Sequence, residues 1–266
     1  MNIIIAGAGK VGATVAHHLA AEHHNITVVD ISEDTLTRIS NQLDVMCIKG
    51  SCASRTVLED AGAEDADVVV AATSSDEINL LCGHAAKRLG VPYTVARVRN
   101  RDYLADLDNL RRDLGITKLI NPESAAAMDI SRMIRLPNAA DVDTFAKGKA
   151  EIISFHVQPG DHMADQPLSH LATKIKNLPI LFCAVERGAE VMIPNGSFVP
   201  QVGDKVYVAG TPSGVSQFFK VLGRHSHRVR SAFIIGGGRV TYYLLQQLEK
   251  LGIQCKVVEK TETRCR

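Results

Sequence analysis

Apolar residues fall in short unbroken blocks along the first half of the chain, at Ile3–Ala6, Ile26–Asp30, Asp44–Ile48, Asp67–Ala71, Tyr93–Val98 and Lys118–Ile120. The blocks are three to six residues long and rich in Val and Ile, the pattern of strands buried on both faces. Between them the apolar positions recur at helical spacing, over Val11–Ala21, Glu33–Asn41, Ser54–Ala61, Asp76–Leu89 and Arg101–Asp113, and again from Glu123 to Ile134. Ser32 before Glu33-Asp34, and Ser74-Ser75-Asp76-Glu77, read as helix starts, and Gly90 followed by Pro92 ends the fourth helix. Six strands joined by helical crossovers predict an α/β class with a Rossmann-like doubly wound parallel sheet over residues 1–138.

The pattern changes near Pro137. Residues 138–149 are small and polar and read as a boundary. After it, Ile153, Phe155 and Val157 alternate with Ser154, His156 and Gln158, as on a half-buried strand with His156 on the exposed side. Further strands are expected at Pro179–Arg187, Glu190–Ile193 and Lys205–Val208, with helices at Leu168–Ile175 and Ser213–Leu222. Residues 139–225 therefore predict a small α+β domain, and Arg224-His225-Ser226-His227-Arg228 a basic, polar link.

The opening pattern then returns over residues 230–266. With an offset of 229, Gly7 falls on Gly236, Gly9 on Gly238, Lys10 on Arg239, Val11 on Val240 and Val28-Val29-Asp30 on Val257-Val258-Glu259. Asp30 lies 23 residues after Gly7, and Glu259 lies 23 after Gly236. A shared strand, turn, helix, strand and acid make this an internal repeat. One β-α-β unit cannot bury both faces of a parallel sheet, so the second copy reads as the truncated start of a further Rossmann repeat.

Gly7-Ala8-Gly9-Lys10-Val11-Gly12 follows a strand and opens a helix, the setting in which G-x-G-x-x-G carries chemistry. Gly7 permits the tight turn, Gly9 leaves room for a pyrophosphate against backbone N–H groups, and Gly12 lets helix and strand pack closely. The helix N-terminus adds a partial positive charge. Asp30 ends the second strand, where its carboxylate would accept from ribose hydroxyls and repel a 2′-phosphate, favouring NAD+/NADH, or another nucleotide with a free ribose, over the 2′-phosphorylated form. Gly236, Gly237, Gly238, Arg239, Val240 and Glu259 repeat the set, with Thr241 in place of the third glycine. Thr73 and Ser74 follow the fourth strand and Arg97 ends the fifth, all at the edge where ligands lie. Capping is the alternative role for the two hydroxyls, and pairing with Asp76 or Glu77 the alternative for Arg97.

Composition narrows the function. The 266 residues carry a net charge of +1, 5% aromatics and no Trp, which argues against a nucleic-acid surface. No apolar run approaches a membrane span, and no basic, cleavable leader opens the sequence. Cys47, Cys52, Cys82, Cys183, Cys255 and Cys265 form no C-x-x-C pair and read as buried free thiols. His17-His18 and His23-His24 read as a solvated helix end rather than a metal site, and Asp76-Glu77 as acids at a helix N-terminus. No tyrosine has a lysine four residues on, and no acid–base set stands out in the small domain. A nucleotide site without chemistry favours a sensor over an enzyme. An NAD-dependent oxidoreductase with an unrecognised substrate site is the other reading.

The stretches "IIIAGAGKVG", "ITVVDIS", "AATSSDEINLL", "ARVRN" and "INPE" resemble the TrkA N-terminal domain, also called the KTN or RCK domain. "VGDKVYVAG" resembles the TrkA C-terminal domain. The resemblance implies a cytoplasmic, peripheral regulatory subunit of a Trk potassium uptake system. It would form homo-oligomeric rings under a membrane-embedded potassium channel or transporter and gate it by binding NAD(H) or ATP/ADP. It also implies nucleotide contacts at Gly7–Val11, Asp30, Thr73, Ser74 and Arg97, with Gly236–Val240 and Glu259 in the second copy. Relatives often have an acid or amide after the glycine that ends the third strand. Here Gly50 is followed by Ser51 and Cys52, so no adenine-edge contact is expected there.

Overall fold

The computed structural model describes all residues except 101, 102, 104, 105, 225–228 and 263–266. The start of the predicted Arg101–Asp113 helix, the basic link and Cys265 therefore fall partly or wholly outside the described residues. The chain divides into two compact units, Met1–Glu123 and Ser124–Arg266.

In unit 1 the elements are β1 (Asn2–Ala6), α1 (Lys10–Ala21), β2 (Asn25–Asp30), α2 (Glu33–Ser40), β3 (Met46–Lys49), α3 (Arg55–Asp60), β4 (Val68–Ala71), α4 (Asp76–Arg88), β5 (Tyr93–Arg97), α5 (Leu107–Asp113) and β6 (Lys118–Ile120). The strands form one parallel sheet in the order β3-β2-β1-β4-β5-β6. The order reverses between β1 and β4, which opens a crevice at their carboxyl ends. Strand residues alternate between two cores. Ile3, Ile5, Ile26 and Val28 pack with Ala16, Leu36 and Ile39 on one face. Ile4, Ala6, Val29, Val69 and Ala71 pack with Leu58, Leu80 and Ala86 on the other. Two covered faces explain why these strands read as continuous apolar blocks. The third strand begins at Met46 rather than Asp44, because its pairing with β2 starts at Thr27↔Met46.

The division between units falls at the start of α6 (Pro122–Arg135), upstream of the change in sequence texture at Pro137. Unit 2 continues with β7 (Asp141–Phe145), β8 (Ala150–His156), α7 (Leu168–Ile175), β9 (Ile180–Arg187), β10 (Glu190–Met192), β11 (Lys205–Gly210) and α8 (Pro212–Val221). Its antiparallel sheet runs β10-β9-β11-β8-β7. Strand β7 lies inside the stretch that reads as a boundary. Its Asp-Val-Asp-Thr-Phe sequence pairs with β8 from Asp141↔Ser154 to Phe145↔Ala150, and its alternate side chains face outward on a sheet edge. An edge strand needs few apolar residues, so composition hides it. Phe155 meets Phe218 and Phe219 edge-on, with ring centroids 5.7 and 5.4 Å apart, at the centre of the core. Asp204, held by Arg187 at 2.7 Å, has its carboxyl kept below the usual range mainly by that hydrogen bond, against the effect of burial.

The second copy of the opening is β12 (Ser231–Ile235), α9 (Arg239–Lys250) and β13 (Gln254–Val258). Its strand register, Ser231↔Gln254 to Ile235↔Val258, is that of β1–β2, Asn2↔Asn25 to Ala6↔Val29, shifted by the same 229 residues. Gly7 and Gly236 each donate N–H to the last valine of the paired strand, Val29 or Val258, at 2.8 Å. Burial differs: Ala6 is fully buried in its six-stranded sheet, whereas Ile235 is 83% exposed in its two-stranded one.

Candidate functional site

A cleft of about 300 Å³ opens at the topological switch of unit 1. Four segments contribute its walls: Gly7 and Gly9 after β1, Asp30 and Ile31 at the end of β2, Gly50, Ser51 and Cys52 after β3, and Thr73, Ser74, Ser75 and Ile78 at β4–α4. Its size suits one nucleotide half of a dinucleotide, with the remainder over the open rim.

The glycine turn is shaped by backbone proximity. Gly7 has φ +100°, and a Cβ there would lie 2.7 Å from the Thr73 nitrogen. A Cβ on Gly12 would lie 1.8 Å from the Gly7 carbonyl oxygen. Both positions therefore exclude any side chain. A Cβ on Gly9 would meet nothing within 4 Å, so its bareness leaves the cleft floor open. Gly9 is the N-cap of α1; it offers no side-chain cap, and the first turn has no acid. By contrast, α2 is capped by Ser32 with Glu33 and Asp34 in its first turn, and α4 by Ser75 with Asp76 and Glu77. The first-turn N–H groups of α1 have no intrahelical acceptor and face the cleft end of the sheet. A helix start without cap or acid is the kind of place where an anion can rest.

Asp30 ties the loops together. One carboxylate oxygen accepts from the Ala8 N–H at 2.6 Å, the other from the Ser32 N–H at 2.9 Å. Ala8 therefore gives its N–H to the acid rather than to the cleft. The second copy repeats this: Glu259 accepts from the Gly237 N–H at 2.5 Å and the Thr261 N–H at 2.8 Å. Glu is one methylene longer than Asp, and the residue facing it is correspondingly smaller. A Cβ on Gly237 would lie 3.1–3.2 Å from Glu259 side-chain atoms. Gly237→Ala is expected to cost about 1 kcal/mol through overpacking, and Gly237→Ala with Glu259→Asp to recover most of it. Chemical denaturation of the single and double variants measures the coupling.

Sequence reading placed Gly7, Ala8, Gly9, Lys10, Val11, Gly12, Asp30, Thr73, Ser74 and Arg97 at this site. Of these, Gly7, Gly9, Asp30, Thr73 and Ser74 line the cleft. Ala8 and Gly12 shape it from behind, and Lys10 and Val11 begin α1. Ser75, not Ser74, is the cap, accepting from the Ile78 N–H at 3.2 Å. Arg97 has neither of the acid partners considered for it. It donates to Glu123 at 2.9 Å, both side chains largely buried, and Arg97 Nε and Glu123 Oε2 are left without partners. Asp76 is taken instead by the N–H groups of Arg99 and Asn100, at 2.7 and 2.6 Å, and by the Arg99 side chain. That network fills the place where Asp76 would meet Arg97.

Gly50, Ser51 and Cys52, expected to lack an adenine contact, form one wall. Sequence reading missed Asn79, which is fully buried on α4. Its Oδ1 accepts from the Thr73 N–H at 2.8 Å and lies 2.7 Å from the Thr73 hydroxyl, while Nδ2 donates to the Arg97 carbonyl at 2.9 Å. It thereby fixes the loop after β4 against the end of β5. The walls carry hydroxyls, a thiol and one carboxylate, but no His, Lys or Tyr to move a proton. Among the described residues no three His, Cys, Asp or Glu side chains cluster as a metal set, and no helix is long and apolar enough to cross a membrane.

A doubly wound parallel sheet with an uncapped glycine turn at its switch point, and an acid closing the second strand, defines a Rossmann-type domain of the nucleotide-binding class. Residues 3–122 match the TrkA-N domain family and residues 152–223 the TrkA-C domain family. The Trk system potassium uptake protein TrkA of Haemophilus influenzae is 32% identical over 99% of this chain and 58% of its own length. The TrkA homolog of Archaeoglobus fulgidus is 33% identical over 100% of the chain and 59% of its own. The chain thus spans a little under three fifths of the length of these relatives. A solved structure of the GsuK channel bound to NAD superposes with a TM-score of 0.67 at 18% identity, over 98% of this chain and 49% of that one. The chain belongs to the TrkA family.

Proposed function

We propose that unit 1 binds an adenine nucleotide of the NAD(H) class, with ATP and ADP as competitors for the same seat. The observation that carries this reading is the α1 N-terminus left without cap or acid, facing a cleft whose far wall is the Asp30 carboxylate. Phosphate would rest on the first-turn N–H groups, and the ribose hydroxyls would donate to Asp30. The chain would act as the nucleotide-responsive part of a Trk-type potassium uptake regulator, on the inner side of the membrane, as a homo-oligomer against a membrane-embedded partner. The names of the relatives point to potassium uptake, and a cleft lined without His, Lys or Tyr supports regulation over catalysis. A nucleotide whose two forms contact the cleft differently would shift the regulator between two states.

Isothermal titration with NAD+, NADH, NADP+, ATP and ADP tests the site. The wild-type protein is expected to bind the forms with a free ribose and to discriminate against NADP+. Asp30→Ala is expected to weaken NAD+ roughly ten- to hundredfold, the value of hydrogen bonds to a charged acceptor at about 1.5–3 kcal/mol. The same variant should narrow the gap to NADP+, an effect that mere loosening of the loops does not produce. Absence of binding at millimolar nucleotide would overturn the proposal, and NADH turnover with any small substrate would favour the oxidoreductase reading.

A further inference from the structure

Asn79 stands behind the cleft wall, near the start of α4, with none of its surface exposed. Its amide is used at both ends. Oδ1 accepts from the Thr73 N–H at 2.8 Å and from the Thr73 hydroxyl at 2.7 Å, and Nδ2 donates to the Arg97 carbonyl at 2.9 Å. A backbone N–H only donates and a carbonyl only accepts, so one orientation of the amide serves both. A carboxylate has no donor for Arg97, and an apolar side chain has neither group. Thr73 in turn stands against the glycine turn. A Cβ on Gly7 would lie 2.7 Å from the Thr73 nitrogen and 2.8 Å from its Cα. The contacts therefore run from the end of β5 through Asn79 and Thr73 to Gly7, at the approach to α1.

We propose that Asn79 is the positioning residue of the nucleotide cleft. It touches no ligand; it sets affinity by holding Thr73 against Gly7, so that the turn before α1 has its binding shape before a phosphate arrives. A preformed site loses less conformational freedom on binding. The Thr73 N–H is committed to Asn79, so Thr73 serves the cleft by its position rather than by donating its amide. That the cleft takes a nucleotide rests on the reading above; the brace itself does not.

Asn79→Asp is the decisive variant. Its carboxylate keeps the acceptor for Thr73 but turns an oxygen toward the Arg97 carbonyl. Burial raises the pKa of such a carboxyl, and once protonated it donates to that carbonyl as the amide does. The variant should bind NAD+ about tenfold more weakly than wild type at about pH 8, and return toward wild-type affinity at about pH 5.5. The titratable and charged groups of the surrounding elements are Asp76, Glu77 and Cys82 on α4, Arg97 and Arg99 at and after the end of β5, Glu123 on α6, Asp30 on β2 and Cys52 after β3. All are common to both proteins, so wild type titrated over the same range is the reference.

Thermal unfolding shows which samples are folded. An amide with a purely structural role would let the melting temperature vary with pH and leave the affinity of folded protein unchanged. A folded Asn79→Asp protein that binds NAD+ as wild type does at both pH values, or whose loss is not recovered in acid, would overturn the proposal. If the variant does not fold, residue-resolved hydrogen exchange on the wild-type protein decides. Slow exchange at the Thr73 amide is expected both without and with NAD+. Protection that appears only with NAD+, or never, would overturn the proposal, because the ligand and not Asn79 would then shape the loop. Absence of NAD+ binding by wild type would reject the nucleotide reading, and this role with it. Binding by wild type beside a pH-insensitive Asn79→Asp would reject the role of Asn79 alone.

Discussion

Asp161→Ala is expected to destabilise unit 2 by about 3–5 kcal/mol, the cost of removing one partner of a buried ion pair. Arg224 and Asp161 meet at 2.6 Å with side chains only 5% and 3% exposed. The guanidinium lies 4.9 Å from the Phe155 ring centroid and 5.9 Å from that of Phe219, at the centre of the small domain's core. Asp161 also accepts from the Gln158 N–H at 2.7 Å, closing the turn at Pro159-Gly160. Without the acid, the acceptors left to Arg224 among the described residues are the His156 and Asn138 carbonyls, and it carries an unmatched charge between two rings. A loss of that size is a large fraction of the stability of an ordinary domain and lowers its melting temperature by on the order of 10 °C. The double variant Asp161→Leu/Arg224→Met removes both charges and keeps apolar volume between the phenylalanines. It should recover much of the loss, because replacing a buried pair by apolar groups is often neutral. Calorimetry of the single and double variants decides. A single variant within 1 kcal/mol of wild type, a margin typical of exposed pairs, would show that water reaches the pair.

What the sequence made legible follows from how local each signal is. The parallel sheet was readable because its strands are covered on both faces, which leaves unbroken apolar blocks such as Val68–Ala71. The repeat was readable because one offset of 229 aligns turn, helix and acid, and the same offset then appears in the strand register. Gly7, Gly9 and Asp30 belong to one β-α-β unit, so spacing alone reveals them. Thr73 and Ser74 needed the further inference that β4 lies beside β1. The wall formed by Gly50, Ser51 and Cys52 was harder, because it depends on β3 folding outside β2 and on a loop with no charged residue. Asn79 gave no signal: an amide inside a helical stretch reads as solvent-facing until the topology places Thr73 and Arg97 against it. For Arg97, the acids at the start of α4, Asp76 and Glu77, were the candidates, whereas the fold supplied Glu123 from the start of α6.

Gly12→Ala is expected to do more damage to nucleotide binding than any other single methyl group added to unit 1. Its Cβ would stand 1.8 Å from the Gly7 carbonyl oxygen and 3.0 Å from the Gly7 carbonyl carbon, both backbone atoms of the turn that shapes the proposed anion seat. No rotamer relieves a Cβ, so either α1 lifts off the sheet or the turn opens. The chain itself shows what accommodation looks like. In the second copy Thr241 occupies the equivalent position, and its hydroxyl donates to the Gly236 carbonyl at 2.6 Å. There a side chain fits between helix and turn, beside a two-stranded sheet in which a Cβ on Gly236 would meet nothing within 4 Å. Unit 1 has no such slack, because Gly7 is already wedged against Thr73 and Ala72. The methyl is therefore expected to cost about 1–3 kcal/mol of stability, as overpacking does, and to weaken NAD+ by at least about tenfold, or 1.4 kcal/mol. Titration and thermal unfolding on the same samples separate the two effects. Thr241→Gly, the converse change, should leave NAD+ affinity of unit 1 unchanged. Wild-type affinity in a folded Gly12→Ala protein would mean that the anion does not rest on the start of α1, and the site would have to be sought elsewhere on the sheet edge.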